Sequence, residues 1–68
     1  MMIGKKIKEL RQTRGWSLQH LGELIGVGAS AVWHWENGTC DPLLFSCILV
    51  ADAFNVSLDE LACREFKG

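Results

Sequence analysis

The 68-residue sequence lacks two patterns that define large classes of protein. No uninterrupted apolar run reaches the length of a membrane span, because Ser46 and Asp52 interrupt the longest apolar stretch, near residues 43–54. The N-terminus carries lysines instead of the apolar segment and small-residue cleavage site of a signal peptide. These absences predict a cytoplasmic protein that does not use a membrane as a partner.

Cysteine and histidine are too sparse for a metal centre. Cys40, Cys47 and Cys63 form no C-x-x-C pair and do not lie at zinc-ligand spacing from His20 or His34. The sequence therefore predicts structural thiols and no metal or other cofactor. It also lacks a nucleophile with an accompanying base and a phosphate-binding loop, so we do not expect an enzyme.

The size and the charge distribution set further limits. A chain of 68 residues can bury one core, which predicts a single domain over residues 1–68. The net charge is −1, but residues 1–40 hold five basic and three acidic side chains, whereas residues 41–68 hold two and five. The weakly basic front half is compatible with phosphate contact, and equally with ordinary solvated charges on helices.

The spacing of apolar residues predicts an all-α domain, and no strand pattern competes. Apolar residues recur every three or four positions, with glycine or capping residues at the segment ends. The predicted helices cover about residues 3–14, 18–25, 29–37, a fourth from Asp41-Pro42 to about 54, and a short fifth after Ser57. The predicted core face of the fourth helix consists of Leu44, Cys47, Ile48 and Ala51.

Residues 18–37 have the spacing of a helix-turn-helix. Two helices joined by a tight turn need a small residue at their close approach, a left-handed turn residue and an apolar anchor on the second helix. Gly22, Gly26 and Val32 satisfy these needs at intervals of four and six residues. The second and third predicted helices therefore form this motif.

The sequence resembles the Cro and lambda-repressor type of helix-turn-helix regulator, also called the xenobiotic-response-element family. The matching positions are residues 3–11 (IGKKIKELR), Ser17, Leu21, 25–27 (IGV), 35–38 (WENG), Pro42, Ala51-Asp52 and 54–61 (FNVSLDEL). The resemblance covers nearly the whole chain. It implies a compact lambda-repressor-like domain of five helices, whose third helix enters the major groove of double-stranded DNA, usually as a dimer.

The resemblance also assigns base-edge contacts to Ala29, Ser30, Trp33 and His34 at the start of the recognition helix and one turn later. Family members often carry arginine, glutamine or lysine there, whereas Ala29 offers only a methyl contact to thymine and Ser30 a non-discriminating hydroxyl. Trp33 is expected to face DNA or to pack in a protein interface. His34 can donate to a base or phosphate, or be a solvated surface histidine.

The phosphate-contacting positions carried over from the family are Leu18, Gln19, Asn37 and Thr39. Ser17 is expected to cap the second helix, whose free N–H groups and positive dipole end then face a phosphate. Leu18 stands where the family commonly has glutamine, and its side chain cannot form a hydrogen bond.

Two further predictions concern the scaffold. Arg11 and Glu36 match a family salt bridge between the first and third helices, with two solvated surface charges as the alternative. Phe45 and Leu58 are assigned to a homodimer contact, because family dimers use the fourth and fifth helices. Extra core packing is the alternative for these apolar side chains.

Together these observations predict a sequence-specific transcription regulator of phage-repressor or Cro type. The alternative is a protein-interaction module, antitoxin-like or anti-repressor, on the same fold with weak or lost DNA binding. The sequence does not indicate the operator, the sign of regulation or an effector.

Overall fold

A computed structural model describes residues 3–61 of the chain and contains five α-helices in that range. They are α1 (Ile3–Thr13), α2 (Leu18–Ile25), α3 (Ala29–Asn37), α4 (Leu44–Phe54) and α5 (Leu58–Leu61). The predicted all-α, five-helix fold is confirmed, and no β-strand occurs within residues 3–61. Across this same range, none of the helices has the length and apolar character needed to traverse a bilayer. Cys63 lies outside the described residues.

The core lies where all five helices converge. Its fully buried side chains come from α1, α2, α3, α4 and α5, so every helix contributes to one apolar cluster. α3 packs against both α1 and α2, while α4 packs on α2 and carries α5. The largest fully buried side chains are Phe54, Ile7, Leu21, Leu61, Val32 and Val50.

The contact between α1 and α3 depends on a glycine that the sequence pattern did not single out. A Cβ atom added at Gly4 would lie 1.9 Å from the carbonyl oxygen of Trp35. Two backbones can approach this closely only where the side chain is a hydrogen atom. Gly4 therefore fixes how near α3 sits to the rest of the bundle.

The start of the fourth helix was predicted wrongly. The helix begins at Leu44, not at Asp41-Pro42, and Leu43 occupies the N-cap position in extended conformation without a side-chain cap. Proline at the first helical position is permitted rather than required, since its fixed φ also suits extended chain. Residues 38–43 instead form the segment that connects α3 to α4.

The core face of α4 was also predicted only in part. Cys47 and Ala51 are buried as expected, but Leu44 is 71% exposed and Ile48 38% exposed. Val50 and Phe54 take their places in the core. Because α4 is apolar on nearly every side, its sequence does not specify a face, and the packing of neighbouring helices chooses one.

The short α5 begins as its capping pattern predicted. The backbone N–H of Glu60 donates to Ser57 Oγ at 3.0 Å, which satisfies one of the free donors of the first turn. Leu61, at the end of this helix, is fully buried in the core.

Candidate nucleic-acid interface

α2 and α3 form the predicted helix-turn-helix. Gly26 ends α2 with a left-handed φ of 82°, and its N–H bonds to the carbonyl oxygen of Gly22. A Cβ atom at Gly22 would lie 2.6 Å from the carbonyl oxygen of Val27, so the turn folds directly against the α2 backbone. Val32 is fully buried at the centre of α3 and anchors that helix on the core.

The outer face of α3 carries the side chains predicted to meet base edges. Ser30, Trp33 and His34 are exposed, and Ala29 is half-buried at the first position of the helix. Trp33 is 46% exposed, while its neighbour Trp35 points into the core. The structure thus places all four candidate base-contacting residues on one helix, three of them open to a partner.

Two residues predicted to contact phosphate, Asn37 and Thr39, form hydrogen bonds with residues of α3. Asn37 Nδ2 donates to the carbonyl oxygen of Trp33 at 2.9 Å. Thr39 Oγ1 lies 2.6 Å from His34 Nδ1 and also donates to the His34 carbonyl oxygen at 3.3 Å. Each contact limits what the side chain can offer a ligand, because one donor of Asn37 is already used and the hydroxyl of Thr39 is shared.

The N-terminus of α2, the helix that packs against α3, is capped as predicted. Ser17 Oγ accepts from the backbone N–H of His20 at 2.9 Å, which leaves other first-turn N–H groups without helical partners. Leu18 is half-buried against the core. Gln19 is exposed, and its Nε2 donates to Glu23 Oε2 at 3.2 Å.

The salt bridge between α1 and α3 has two parallel hydrogen bonds. Arg11 Nε lies 2.7 Å from Glu36 Oε2, and Arg11 Nη2 lies 3.0 Å from Glu36 Oε1. Arg11 Nη1 donates to the carbonyl oxygen of Trp16 at 2.8 Å. Both side chains are largely removed from water, with 13% of Arg11 and 3% of Glu36 exposed. Hydrogen bonding to Glu36 raises the pKa of the Arg11 guanidinium, which therefore stays protonated.

Sequence reasoning missed the role of Arg14. Its Nη2 donates to the carbonyl oxygen of Phe54, and its guanidinium carbon lies 5.1 Å from the Phe54 ring centre and 5.6 Å from that of Trp16. Those two rings stack at 5.2 Å. The cluster joins the turn before α2 to the end of α4. No spacing rule pairs residues forty positions apart, so the sequence held no signal for it.

The residues proposed for dimer contact are exposed. Phe45 on α4 is 70% exposed and Leu58 at the start of α5 is 38% exposed. Extra core packing, the alternative for these side chains, does not describe Phe45. Other large apolar side chains exposed on α4 and just before it are Leu43, Leu44 and Ile48.

The family sequence model described as helix-turn-helix matches residues 7–61, which is most of the chain and includes α2, the turn and α3. The chain belongs to the helix-turn-helix family. The resemblance that the residue strings indicated is thereby confirmed.

Two helix-turn-helix proteins of Bacillus subtilis (strain 168) are similar in sequence. The chain is 37% identical to the HTH-type transcriptional regulator AnsR over 60 residues, covering 88% of this chain and 52% of AnsR. It is 30% identical to the HTH-type transcriptional regulator ImmR over 65 residues, covering 96% of this chain and 51% of ImmR. The chain thus spans about half the length of these two relatives.

A solved helix-turn-helix domain has the same architecture. The N-terminal DNA-binding domain of SinR from Bacillus subtilis superimposes with a TM-score of 0.84 at 31% identity, covering 98% of this chain and 97% of that domain. The five-helix arrangement is therefore lambda-repressor-like, as the resemblance implied.

Proposed function

We propose that this chain is a sequence-specific, double-stranded DNA-binding transcription regulator of repressor type. The observation that carries the proposal is the exposed outer face of α3, with Ser30, Trp33 and His34, on a helix that packs against the capped α2. A recognition helix of this kind enters the major groove, while the preceding helix faces the phosphate backbone. As a DNA-binding regulator, the chain acts where the DNA is, in the cytoplasm, and is not an enzyme.

The relatives support this proposal. AnsR and ImmR are named as transcriptional regulators, and together they match nearly all of this chain. SinR, a regulator of biofilm formation, has been solved in complex with DNA and aligns at 32% identity with a TM-score of 0.82. The same two-helix unit is thus present in a domain seen on DNA.

The proposed base contacts are weak in direct readout. Ala29 supplies a methyl group and Trp33 an apolar ring, both suited to the methyl group of thymine, and Ser30 supplies a hydroxyl that does not discriminate strongly. His34 supplies a ring nitrogen. We therefore expect a site in which apolar contacts and DNA shape contribute much of the specificity.

The proposed phosphate contacts lie at both ends of the motif. Leu18 contributes its backbone N–H at the start of α2, and Gln19 adds a side-chain amide. Asn37 retains one amide donor beyond its bond to the Trp33 carbonyl. Thr39 lies on the segment after α3, two residues beyond Asn37.

We also propose a homodimer formed through the exposed apolar side chains of α4 and α5, with Phe45 and Leu58 in the contact. Contiguous apolar surface on a small domain marks an interface more often than chance exposure. A two-fold dimer would present two copies of α3 to the two halves of a palindromic site.

Selection of bound duplexes from a random pool, repeated at two salt concentrations, tests the proposal. We expect a palindrome to be recovered, with affinity falling steeply as salt rises because phosphate contacts release counterions. Ser30→Ala and His34→Ala should weaken the selected duplex more than random DNA, whereas Gln19→Ala should weaken both alike. Equal losses on both duplexes from both α3 variants would contradict the placement of α3 in the major groove.

One observation favours a second candidate function. Leu43, Leu44 and Phe45 form a consecutive run of exposed apolar side chains, which suits a surface that binds another protein. If no duplex is enriched even at low salt, the chain is a protein-interaction module on a helix-turn-helix fold.

A further inference from the structure

Arg14 joins the end of α4 to the segment before α2. Its Nη2 donates to the carbonyl oxygen of Phe54, the last residue of α4. Its guanidinium carbon lies 5.1 Å from the Phe54 ring centre and 5.6 Å from that of Trp16, and the two rings stack with an interplanar angle of 13°. One side chain therefore contacts the backbone and the ring at the end of one helix, and the ring that precedes another.

The bond from Arg14 satisfies the C-terminal end of α4. The last four carbonyl groups of an α-helix lack intrahelical partners and form the negative end of the helix dipole. The N–H of Asn55 bonds to the carbonyl oxygens of Ala51 and Asp52, and Arg14 supplies the donor for Phe54. α4 has no basic residue in its own last turn. Arg14 therefore provides both a hydrogen bond and a positive charge from outside the helix.

This bond is also the directional link between α4 and the helix-turn-helix. Within residues 3–61, no other hydrogen bond joins α4 to residues 3–37. The rest of that attachment is apolar packing, chiefly on α2 and α1, and apolar burial has no preferred direction. Trp16 continues the link, because its carbonyl oxygen accepts from Arg11, whose ion-pair partner is on α3. The orientation of α4 relative to α3 therefore depends on Arg14.

The length of α4 converts a small change at this end into a larger one at the other. Phe45, placed in the proposed dimer contact, lies in the first turn of α4, which has 11 residues, and Phe54 is its last residue. At about 1.5 Å per residue the two lie about 13 Å apart along the axis, so a tilt of about 10° at the Phe54 end moves Phe45 by roughly 2 Å. A two-fold dimer applies the change twice, which gives roughly 4 Å between the half-sites, close to the rise of about 3.4 Å per base pair.

We propose that Arg14 is a positioning residue that sets the angle between α4 and the helix-turn-helix, and thereby the spacing of the two half-sites that the dimer accepts. This inference rests on the proposed function, in both its DNA-binding and its dimer parts. Arg14 acts through α4 and does not itself touch DNA. Its loss should leave the fit of each α3 to a half-site unchanged and relax the required distance between the two half-sites.

The orientation of α4 is measured without DNA. Residual dipolar couplings of the backbone N–H groups of the full chain report the direction of each helix in one common frame. In the unmodified protein we expect α4 and α1–α3 to fit a single alignment. In Arg14→Met, which keeps an apolar stem but has no donor and no charge, α4 should depart from the alignment of α1–α3. An α4 that keeps its orientation in Arg14→Met overturns the inference whatever the DNA result.

Lys8→Met is the matched control for both measurements. Lys8 is an exposed cation on α1, and its ammonium group makes no hydrogen bond within residues 3–61. This variant loses the same charge as Arg14→Met without releasing α4. We expect its α4 to keep the alignment of the unmodified protein.

The half-site spacing is tested on the selected palindrome and on versions with one central base pair added or removed. One base pair turns the second half-site by about 35°. When the spacing changes, we expect the unmodified protein and Lys8→Met each to lose about tenfold in affinity, the scale of one unfavourable base contact. Arg14→Met should lose less than about threefold. A change that only destabilised the fold would lower the affinity for every spacing alike, because it lowers the folded fraction.

Different results overturn the inference and the proposed regulator. Equal spacing losses in Arg14→Met and Lys8→Met overturn the inference and leave the regulator intact. A chain that binds a single half-site and is monomeric at every concentration likewise overturns the inference alone. Failure to select any duplex overturns the regulator and the role of Arg14 in spacing together.

Discussion

The ion pair between Arg11 and Glu36 supports the sharpest prediction about stability. It joins α1 to α3 through two hydrogen bonds of 2.7 and 3.0 Å, and a third bond from Arg11 holds the turn before α2 at the Trp16 carbonyl. One guanidinium thus connects α1, α3 and the turn before α2. Its removal should loosen the placement of α3 as well as lower the stability.

The magnitude follows from burial. Only 3% of the Glu36 side chain is exposed, so Arg11→Met leaves a carboxylate with almost no access to water and no donor. Breaking one partner of such a buried pair costs about 3–5 kcal/mol. A domain of this size has a total stability of roughly 3–10 kcal/mol. We therefore expect Arg11→Met, and likewise Glu36→Gln, to lower Tm by at least about 12 °C.

Thermal and urea melts of the single and double variants provide the assay. Arg11→Met combined with Glu36→Leu should cost less than Arg11→Met and Glu36→Leu measured separately and added together, because neither charge is stranded in the double variant. Lys6→Met is the matched control: its bond to Glu9, at 3.3 Å, joins a partly exposed lysine to an exposed glutamate and should be worth less than about 1 kcal/mol. Losses of that small size for Arg11→Met, additive with those of Glu36→Leu, would refute the reasoning.

Three further predictions follow from single residues. Gly4→Ala should cost more than about 2 kcal/mol in a urea melt because its Cβ meets an α3 carbonyl. Gly28→Ala has nothing within 4 Å of its Cβ and should cost less than about 1 kcal/mol, the value of a changed N-cap. Equal effects of the two changes would mean that α1 can move away from α3. Phe45→Lys should convert a dimer to a monomer in sedimentation equilibrium, and an unmodified chain that is monomeric at every concentration would exclude the dimer. Burial raises the pKa of the Cys47 thiol, so the folded state binds this proton more tightly than the unfolded state does. The free energy of unfolding should therefore fall as pH rises past about 8.5, the ordinary pKa of a thiol. The fall in unfolding free energy between about pH 8 and about pH 10 should be smaller in Cys47→Ala than in Cys40→Ala, and identical slopes would contradict this.

Much of the fold follows from short-range patterns. Gly26 and Gly38 end α2 and α3 in the left-handed conformation, and Ser17 caps α2, as their positions predicted. These signals are local, since a helix end depends on the few residues that can satisfy its free backbone groups. The spacing of Gly22 relative to Gly26 also predicted the close turn, because the motif fixes both positions.

The sequence predicted which residues form the candidate interface, but not the hydrogen bonds that their side chains make. The helical period places Ser30, Trp33 and His34 on the face opposite Val32, so their exposure followed from the sequence. The bond between His34 and Thr39 did not, since it depends on how the chain turns after Gly38.

By itself, the sequence determined the five-helix order, the turn at Gly26 and the outer face of α3, because each depends on neighbours within one or two helical turns. Only the tertiary structure decided which side of the apolar α4 is buried, because residues such as Ile48 and Val50 are equally apolar and differ only in what packs against them. It also decided the approach of Gly4 to α3, since contact between distant backbones leaves no mark in local spacing.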